Sequence, residues 1–562
     1  MPEFVLRAVD ESARAHLVEG GVAPRLARLF AARGVADAAE LSIALAGLAA
    51  PQRLAHARDA AVLLADAIES GERILIVADY DADGATACAV GVRALRAMGA
   101  QVDFLVPDRF RFGYGLTPEI VRIAAERSPD LLVTVDNGIA AVDGVAEANR
   151  LGMRVLVTDH HLPGAGTPAA ACIVNPNQAG CGFPSKHLAG VGVIFYVMTA
   201  LRAELRSRGR FAANAGPNLA ALLDLVALGT VADVVKLDAN NRILVAQGLA
   251  RIRAGGSCAG ITALMEVAGR EPRRAGAHDL GFAVGPRLNA AGRLEDMTIG
   301  IACLTTDDPE TARALAGKLD ALNRERRGIE AGMQESALAM LSEIDPGEGY
   351  SLTVHRPDWH AGVVGLLASR LKDRFHRPVF AFASDEGGGL KGSGRSIAGL
   401  NLRDALDLVS KRAPGLLERF GGHAAAAGAT LHPEKLEAFR AAFEAVAREL
   451  LSPADLAERV ETDGELDPAD HCLDFAAEIR GHVWGQGFPE PRFRGRFPVV
   501  AQRIVGQKHA RITVDCGGRH LTAMRFGETG PFPASIDAVY RLDVNEWNGT
   551  QSLQLIVEHW SG

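Results

Sequence analysis

Asp79, Asp81 and Asp83 occupy every second position of the stretch VADYDADGATA, which runs from Val77 to Ala87. The apolar run RILIVA leads straight into it. Two further acidic points follow runs of the same kind: Asp136 after LLVTV, and Asp159, with His160 and His161, after RVLVT. Carboxylates packed this closely repel one another, and left alone some would take up protons. Divalent cations remove the conflict, because each ion neutralises two charges. Oxygen-rich ligand sets with some imidazole suit Mn²⁺ or Mg²⁺ rather than structural zinc. Two such ions about 3.5–4 Å apart, bridged by a carboxylate and a water, form the usual centre for phosphoryl hydrolysis. A single Asp after a strand is commonly a helix cap or a turn former. Three acidic clusters after successive apolar runs are harder to explain that way.

These clusters need elements that bring them together. Strand-like runs at 73–78, 102–106, 131–135 and 154–158 alternate with helical stretches near 86–98, 117–127 and 140–150. Continuous apolar strands separated by helices predict a parallel sheet covered on both faces, a doubly wound α/β domain. Ligands of such sheets bind beyond the carboxyl ends of the strands, so the acids and imidazoles are expected at one edge. Residues 1–40 read as an Ala/Arg-rich helical lead-in to this domain, which spans 41–308. A charged stretch at 309–345, free of internal proline, predicts a long connecting helix. A second α/β unit follows at 346–455, with KGSGRS (391–396) read as a glycine-rich loop. Between 456 and 562, short β-like runs separated by CGG, ETG and NG predict an OB-like β-barrel.

The 562 residues suit three or four folded units, and 48% apolar with 23% charged residues is a globular balance. The N-terminus has no basic region followed by an apolar core, and no apolar run is long enough to span a bilayer. Seven scattered cysteines without a C-x-x-C pair argue against a disulfide framework or a zinc cluster, and for the cytoplasm. A net charge of −8 counts against a general nucleic-acid coat but leaves room for local basic grooves, such as Arg109–Phe112 or the RFRGR stretch at 492–496.

DYDADG, TVDNG, TDHH and DLVALGTVADVV resemble, in order, the four motifs of the DHH phosphoesterase superfamily. GPRLNAAGRL (285–294), DWHAGVVGLLASRL (358–371), KGSGRS and GGHAAAAG (421–428) resemble the further signatures of its bacterial single-strand-specific 5′→3′ DNA exonucleases. The resemblance covers roughly residues 40–562. It implies a DHH domain, a DHH-associated domain and a terminal OB-fold, matching the three units above. It also implies that Asp81, Asp83, Asp136 and His160 ligate two Mn²⁺ or Mg²⁺ ions, with Asp136 as the bridge. Asp159 and His161 would sit at the rim and take part in catalysis. A fourth-motif acid completes the set. Asp224 and Asp233 both flank LGTVAD, and Asp224 is preferred because one turn before a Gly-Thr it can face the cage. Val77 departs from the pattern, since many members carry His there; either Asp79 compensates as a ligand or one ion has fewer protein ligands. For the substrate, the resemblance and the residue types point to Arg287, Asn289 and Arg293, to His360, Ser393, Arg395 and His423, to Arg109, and to Tyr114 for base stacking. The implied activity is metal-dependent hydrolysis of single-stranded DNA in repair and recombination. It would be carried out by a monomer, with a single-strand-binding protein and a helicase as further partners. The alternative is a DHH phosphodiesterase acting on short oligonucleotides or cyclic dinucleotides, which would not need the barrel.

Overall fold

The structure, a computed structural model, describes residues 2–107, 115–164, 166–211, 215–343, 349–385, 387–547 and 549–562. The chain opens with strand β1 (Glu3–Leu6) and helices α1 (Glu11–Glu19) and α2 (Pro24–Ala31). Helix α3 (Ala57–Glu69) leads into β2 (Arg73–Ala78), α4 (Ala82–Ala97), β3 (Gln101–Leu105), α5 (Pro118–Ala125), β4 (Leu131–Val135), α6 (Val142–Arg150), β5 (Arg154–Thr158) and β6 (Cys172–Val174). These strands form one parallel sheet in the order β3-β2-β4-β5-β6. Its four longer strands match the expected runs to within a residue. β6 has no counterpart in the sequence reading, because three residues carry too little pattern. Every residue of β4 is buried, and in β2 and β5 only the first residue is not, as a sheet covered on both faces requires.

Helices α7 (Gly190–Ser207) and α8 (Leu223–Ala232) pack against α4. Beyond them come α9 (Ala239–Arg253), α10 (Ala259–Val267), α11 (Gly285–Leu294), α12 (Thr298–Thr305) and the 35-residue α13 (Pro309–Glu343), the expected connecting helix. The chain divides into two compact units within α13, between Ala321 and Leu322. One unit holds Leu6–Ala321 and Thr462–Gly562; the other holds Leu322–Glu461 with the first few residues.

The second of these contains β7 (Leu352–His355), α14 (Val364–Phe375), β8 (Val379–Ser384), β9 (Leu390–Arg395), α15 (Leu402–Arg412), β10 (Arg419–Gly422), β11 (Ala426–Leu431), α16 (Leu436–Leu450) and β12 (Arg459–Thr462). Its sheet runs β10-β11-β9-β8-β7, and only β7 and β8 are parallel. KGSGRS is therefore not a loop: five of its six residues lie on β9, between β11 and β8. Its glycines serve packing. A Cβ at Gly392 would lie 2.3 Å from the Phe382 ring, and one at Gly394 2.5 Å from that of Phe380.

After α17 (Leu473–Gly481), strands β13 (Phe493–Val505), β14 (His509–Cys516), β15 (Arg519–Phe526), β16 (Ser535–Trp547) and β17 (Thr550–Ser561) close into a barrel. The order is β13-β14-β15-β17-β16, with β15 and β17 parallel. Phe493, Phe497, Ile512, Val514 and Tyr540 fill its core, and Leu29 and Phe475 join the same cluster. Just past α2, Arg33 donates two hydrogen bonds, of 2.8 and 2.9 Å, to Asp463, with side-chain exposures of 0% and 3%. Helix α2 and the residues just after it are thus part of the barrel's packing rather than a separate lead-in. Among the described residues no helix is long and apolar enough to cross a membrane.

Candidate metal centre

The sheet register lines up the strand ends. Ala78 pairs with Val135, and Val135 with Thr158. The next residue on each strand continues the ladder by its backbone. Asp79 N–H donates to Val135 O (3.3 Å), Asp136 N–H to Thr158 O (3.0 Å) and Asp159 N–H to Val174 O (3.1 Å). Strand order reverses between β2 and β4, the place where doubly wound sheets hold their ligands. Asp79 and Asp136 leave the sheet there.

The helices supply the remaining acids. Asp81 caps α4, accepting the N–H groups of Asp83 (2.9 Å) and Gly84 (3.0 Å). Asp83, in the first turn of α4, accepts Gly190 N–H (2.6 Å) and Val191 N–H (2.9 Å) at the start of α7, where the helix dipole also favours a negative charge. Gly190 has no alternative: a Cβ there would lie 2.6 Å from Cβ and Oδ1 of Asp136. Three groups of side-chain ligand atoms converge, each within 4.8 Å: Asp79, Asp81 and Asp136; Asp136, His160 and His161; Asp83, His160 and Asp233. Asp136 and His160 each belong to two groups and join all three. His160 Nε2 lies 3.1 Å from Asp136 Oδ1 and 3.6 Å from Asp233 Oδ2, yet makes no hydrogen bond. Such convergence without mutual bonding is how ligands stand around an ion.

The electrostatics say the same. Burial, then the charges of Asp233 and Asp81, hold the Asp83 carboxyl well above the usual carboxylate range. Burial, then Asp83, Asp81, Asp233 and Asp79, do so for Asp136. Burial and Asp81 push Asp233 to about 7. Burial, with the neighbouring His161, lowers His160 to about 4, so its ring is neutral and can offer a lone pair. His161 goes the other way. Burial opposes its charge, but the hydrogen bond and charge of Asp159, with Asp233 and Asp79, raise it to about 9. Asp159 touches none of the three groups as a ligand. It accepts the N–H groups of Ile139, His160 and His161 and binds His161 Nδ1 at 2.8 Å, so it positions both imidazoles.

The structure corrects the fourth-motif choice. Asp224 is buried in the first turn of α8, where it accepts Leu225 N–H (2.8 Å) and Cys258 N–H (2.7 Å), and it belongs to none of the three groups. Asp233, at the end of α8, takes the place expected for it. The helical period carries the signal. Gly229 abuts Asp83, and Asp233 lies four residues on, on the same face; Asp224, five residues before, is turned well away. At Val77 the strand simply packs, and Asp79 is brought to the cluster.

Two of the expected phosphate donors are engaged elsewhere. Arg287 is buried, with its guanidinium on Asp320 (2.8 Å) and Ala283 O (2.7 Å). Asn289 Oδ1 accepts Ala82 N–H (2.8 Å), bracing the acidic turn from α11. Arg293 is half-buried in the last turn of α11. In the other unit, Arg395 donates to Ser393 Oγ (3.0 Å) and Gly394 O (2.8 Å), His360 is exposed and accepts Gly362 N–H (3.1 Å), and His423 N–H donates to Ala426 O (2.8 Å). Arg109 and Tyr114 lie outside the described residues.

Known proteins share the fold and much of the sequence. The DHH family, N-terminal domain, matches residues 73–230, the DHHA1 domain 349–449 and the RecJ OB domain 462–559. The single-stranded-DNA-specific exonuclease RecJ of Escherichia coli (strain K12) is 49% identical over 570 residues, which cover 98% of each chain. The chain belongs to the RecJ family. The RecJ of Bacillus subtilis (strain 168) is 35% identical, covering 96% of this chain and 68% of its own. The crystal structure of RecJ in complex with Mn²⁺ from Thermus thermophilus is similar with a TM-score of 0.83 at 30% identity, over 100% of this chain and 79% of that one. The corresponding Mg²⁺ complex gives 0.76 at 29%. The donor set found here, carboxylates with a neutral imidazole, fits either of these hard cations.

Proposed function

We propose that the protein is a metal-dependent exonuclease that hydrolyses the phosphodiester bonds of single-stranded DNA from the 5′ end, in DNA repair and recombination. The observation that carries this reading is the cluster of Asp79, Asp81, Asp83, Asp136, Asp233 and His160, buried or half-buried, at the strand-order reversal, in a chain that follows RecJ along nearly its whole length. When bound, divalent cations neutralise these acids, lower the pKa of a bound water and draw charge from the scissile phosphate. The protein's own residues set that up. Asp136, common to two groups, is the residue both ions would share. His160, neutral, completes the ligand set. His161, held charged by Asp159, can donate a hydrogen bond to a non-bridging phosphate oxygen. Asp81 and Asp83 are fixed by backbone N–H groups and need no rearrangement.

Ser393 and Arg395 form a hydroxyl–guanidinium pair that we assign to the terminal phosphate, with Arg109 as the second candidate. The barrel would hold the strand, which favours polymeric DNA over the short oligonucleotides or cyclic dinucleotides that the same cluster could cut. A single-strand-binding protein and a helicase, in the cytoplasm, are the further partners this role implies. The test is incubation of the protein and Mn²⁺ with 5′- and 3′-labelled single strands, a duplex and a cyclic dinucleotide. We expect mononucleotides from the 5′ end of single strands, no cleavage under chelation, and an Arg395→Ala variant that no longer prefers 5′-phosphate to 5′-hydroxyl ends. Cleavage of the cyclic dinucleotide alone would overturn the reading.

A further inference from the structure

A second charged concentration lies on the compact unit that holds the metal centre, and the two share no residue. It has the opposite sign. Arg253 at the end of α9, Arg273 and Arg274 in the short turn Pro272–Arg274, and Arg480 in the last turn of α17 line one open cavity of about 300 Å³. They come from three separate segments, so no helical repeat accounts for their meeting. Only part of this charge is met by acids. Arg274 pairs with Glu546, which ends the lining near the turn from β16 into β17, and with Glu271 at 3.1 Å. Arg253 spends its Nε–H on Ala275 O at 2.7 Å; burial and the charge of Arg480 oppose its own charge, and Asp279 supports it. Among the described residues neither Arg273 nor Arg480 has an acidic partner. In a chain with 68 acidic and 60 basic side chains, two guanidinium groups left without an acid beside two more at one concavity are not a matter of average composition.

The chemistry of the lining narrows the ligand. Guanidinium forks bind phosphate oxygens bidentately. Among the described residues the rest of the lining is Ala477, Gly481, Val544, Glu546 and Gln551. Four guanidinium groups against one carboxylate favour an anionic backbone as the ligand. Its barrel side is the β16–β17 turn, the connection between the fourth and fifth strands, which borders the oligonucleotide in OB folds. We propose that this arginine cavity binds the phosphodiester backbone of a single strand at a point other than the one being cut. A long strand would be held there while its end is processed, and a short one would not reach both places. The proposal rests on the single-strand reading of the substrate.

The test uses the full chain and two double variants, Arg273→Ala with Arg480→Ala, and Arg273→Lys with Arg480→Lys. Both positions are exposed and hold no partner in the core. Binding of a long oligothymidylate and of a trinucleotide is followed by fluorescence anisotropy under chelation, over a range of salt. Removing one phosphate-binding charge should reduce the slope of log affinity against log salt by about 0.7, so the alanine pair should lower it by about 1.4. Affinity for the long strand should fall about tenfold, the lysine pair should keep most of the slope because the charge remains, and hydrolysis of the trinucleotide with Mn²⁺ should be unchanged. An unaltered slope with the alanine pair overturns the proposal. So does an equal loss on the trinucleotide, which would place these residues in the cutting site. An oligoglutamate peptide that binds the parent and not the alanine pair, while the long strand binds both alike, overturns it in favour of an acidic protein partner. A parent that binds long strands but cleaves none would sink the exonuclease reading and leave the cavity assignment standing.

Discussion

Asp136 has a positive φ of 62°, a backbone region in which asparagine is as much at home as aspartate. Asp136→Asn therefore removes the charge while keeping the turn, whereas alanine would add backbone strain. With its shared position gone, several kcal/mol of transition-state stabilisation go too, and hydrolysis should fall by about 10³-fold or more. Without metal the same variant relieves a repelled buried carboxyl, so its Tm under chelation should equal or exceed that of the parent. Near-parental activity in this variant would remove Asp136 from the centre. The pH dependence follows from the same charges. Asp233 is raised in the folded state to about 7, and Asp83 and Asp136 are raised as well. The metal-free fold thus holds protons that the unfolded chain releases, and it loses stability as pH rises through about 7. His160 acts in the opposite sense, but only below its ordinary value of 6.5. From pH 6.5 upward the acids and His161, whose proton the fold holds to about 9, act in the same sense. Calorimetry should show Tm falling toward about pH 9 under chelation and falling less with Mn²⁺, because ion binding displaces the protons of the acids.

At the scale of elements, the start of α7 faces the acids at hydrogen-bond and van der Waals distance. Gly190→Ala would drive a methyl group into Asp136, and the relief must come from moving either the helix or the carboxylate. We expect a loss of about 1–3 kcal/mol in stability, as for overpacking elsewhere, together with weaker Mn²⁺ binding by titration calorimetry. Unchanged Mn²⁺ affinity would show that α7 does not set the position of Asp136. Much of this scale was legible in advance. β2, β4 and β5 announce themselves by unbroken apolar runs, and an acid directly after each is visible in one dimension. What sequence could not give is direction. Asp224 and Asp233 are equally good on composition, and only their angle around α8 relative to Gly229 separates them. Arg287 looks like a phosphate donor until Asp320, thirty-three positions away, is seen to hold it. KGSGRS looks flexible because glycine density is usually read as freedom; here it reflects the room taken by Phe380 and Phe382.

For the molecule as a whole, the barrel and the metal-binding domain belong to one unit though the chain leaves and re-enters it. The Arg33–Asp463 fork is one place where the early and late segments are joined, and both partners are buried. Arg33→Ala would leave the buried Asp463 carboxylate with the Arg492 N–H (2.9 Å) and the more distant Arg7 (3.9 Å), at a cost of about 3 kcal/mol. Thermal unfolding followed both by barrel tryptophan fluorescence and by loss of Mn²⁺ binding should shift together in this variant. A shift in the fluorescence alone would mean the barrel melts by itself.

The backbone ladder that carries Asp79, Asp136 and Asp159 past the sheet edge also bears on how such a chain can change over generations. The three acids are counted from the strands, not from the loops. Residues may be inserted or deleted between β2, β4 and β5 at the far edge of the sheet without moving the chemistry, since the register stays as it is. A single residue added inside one of these strands is different. With a side-chain period of two, it turns the following acid to the opposite face and breaks the ladder at its last rung. Length variation among descendants of this sequence should therefore collect in the connections, while the spacing from each apolar run to its acid stays fixed.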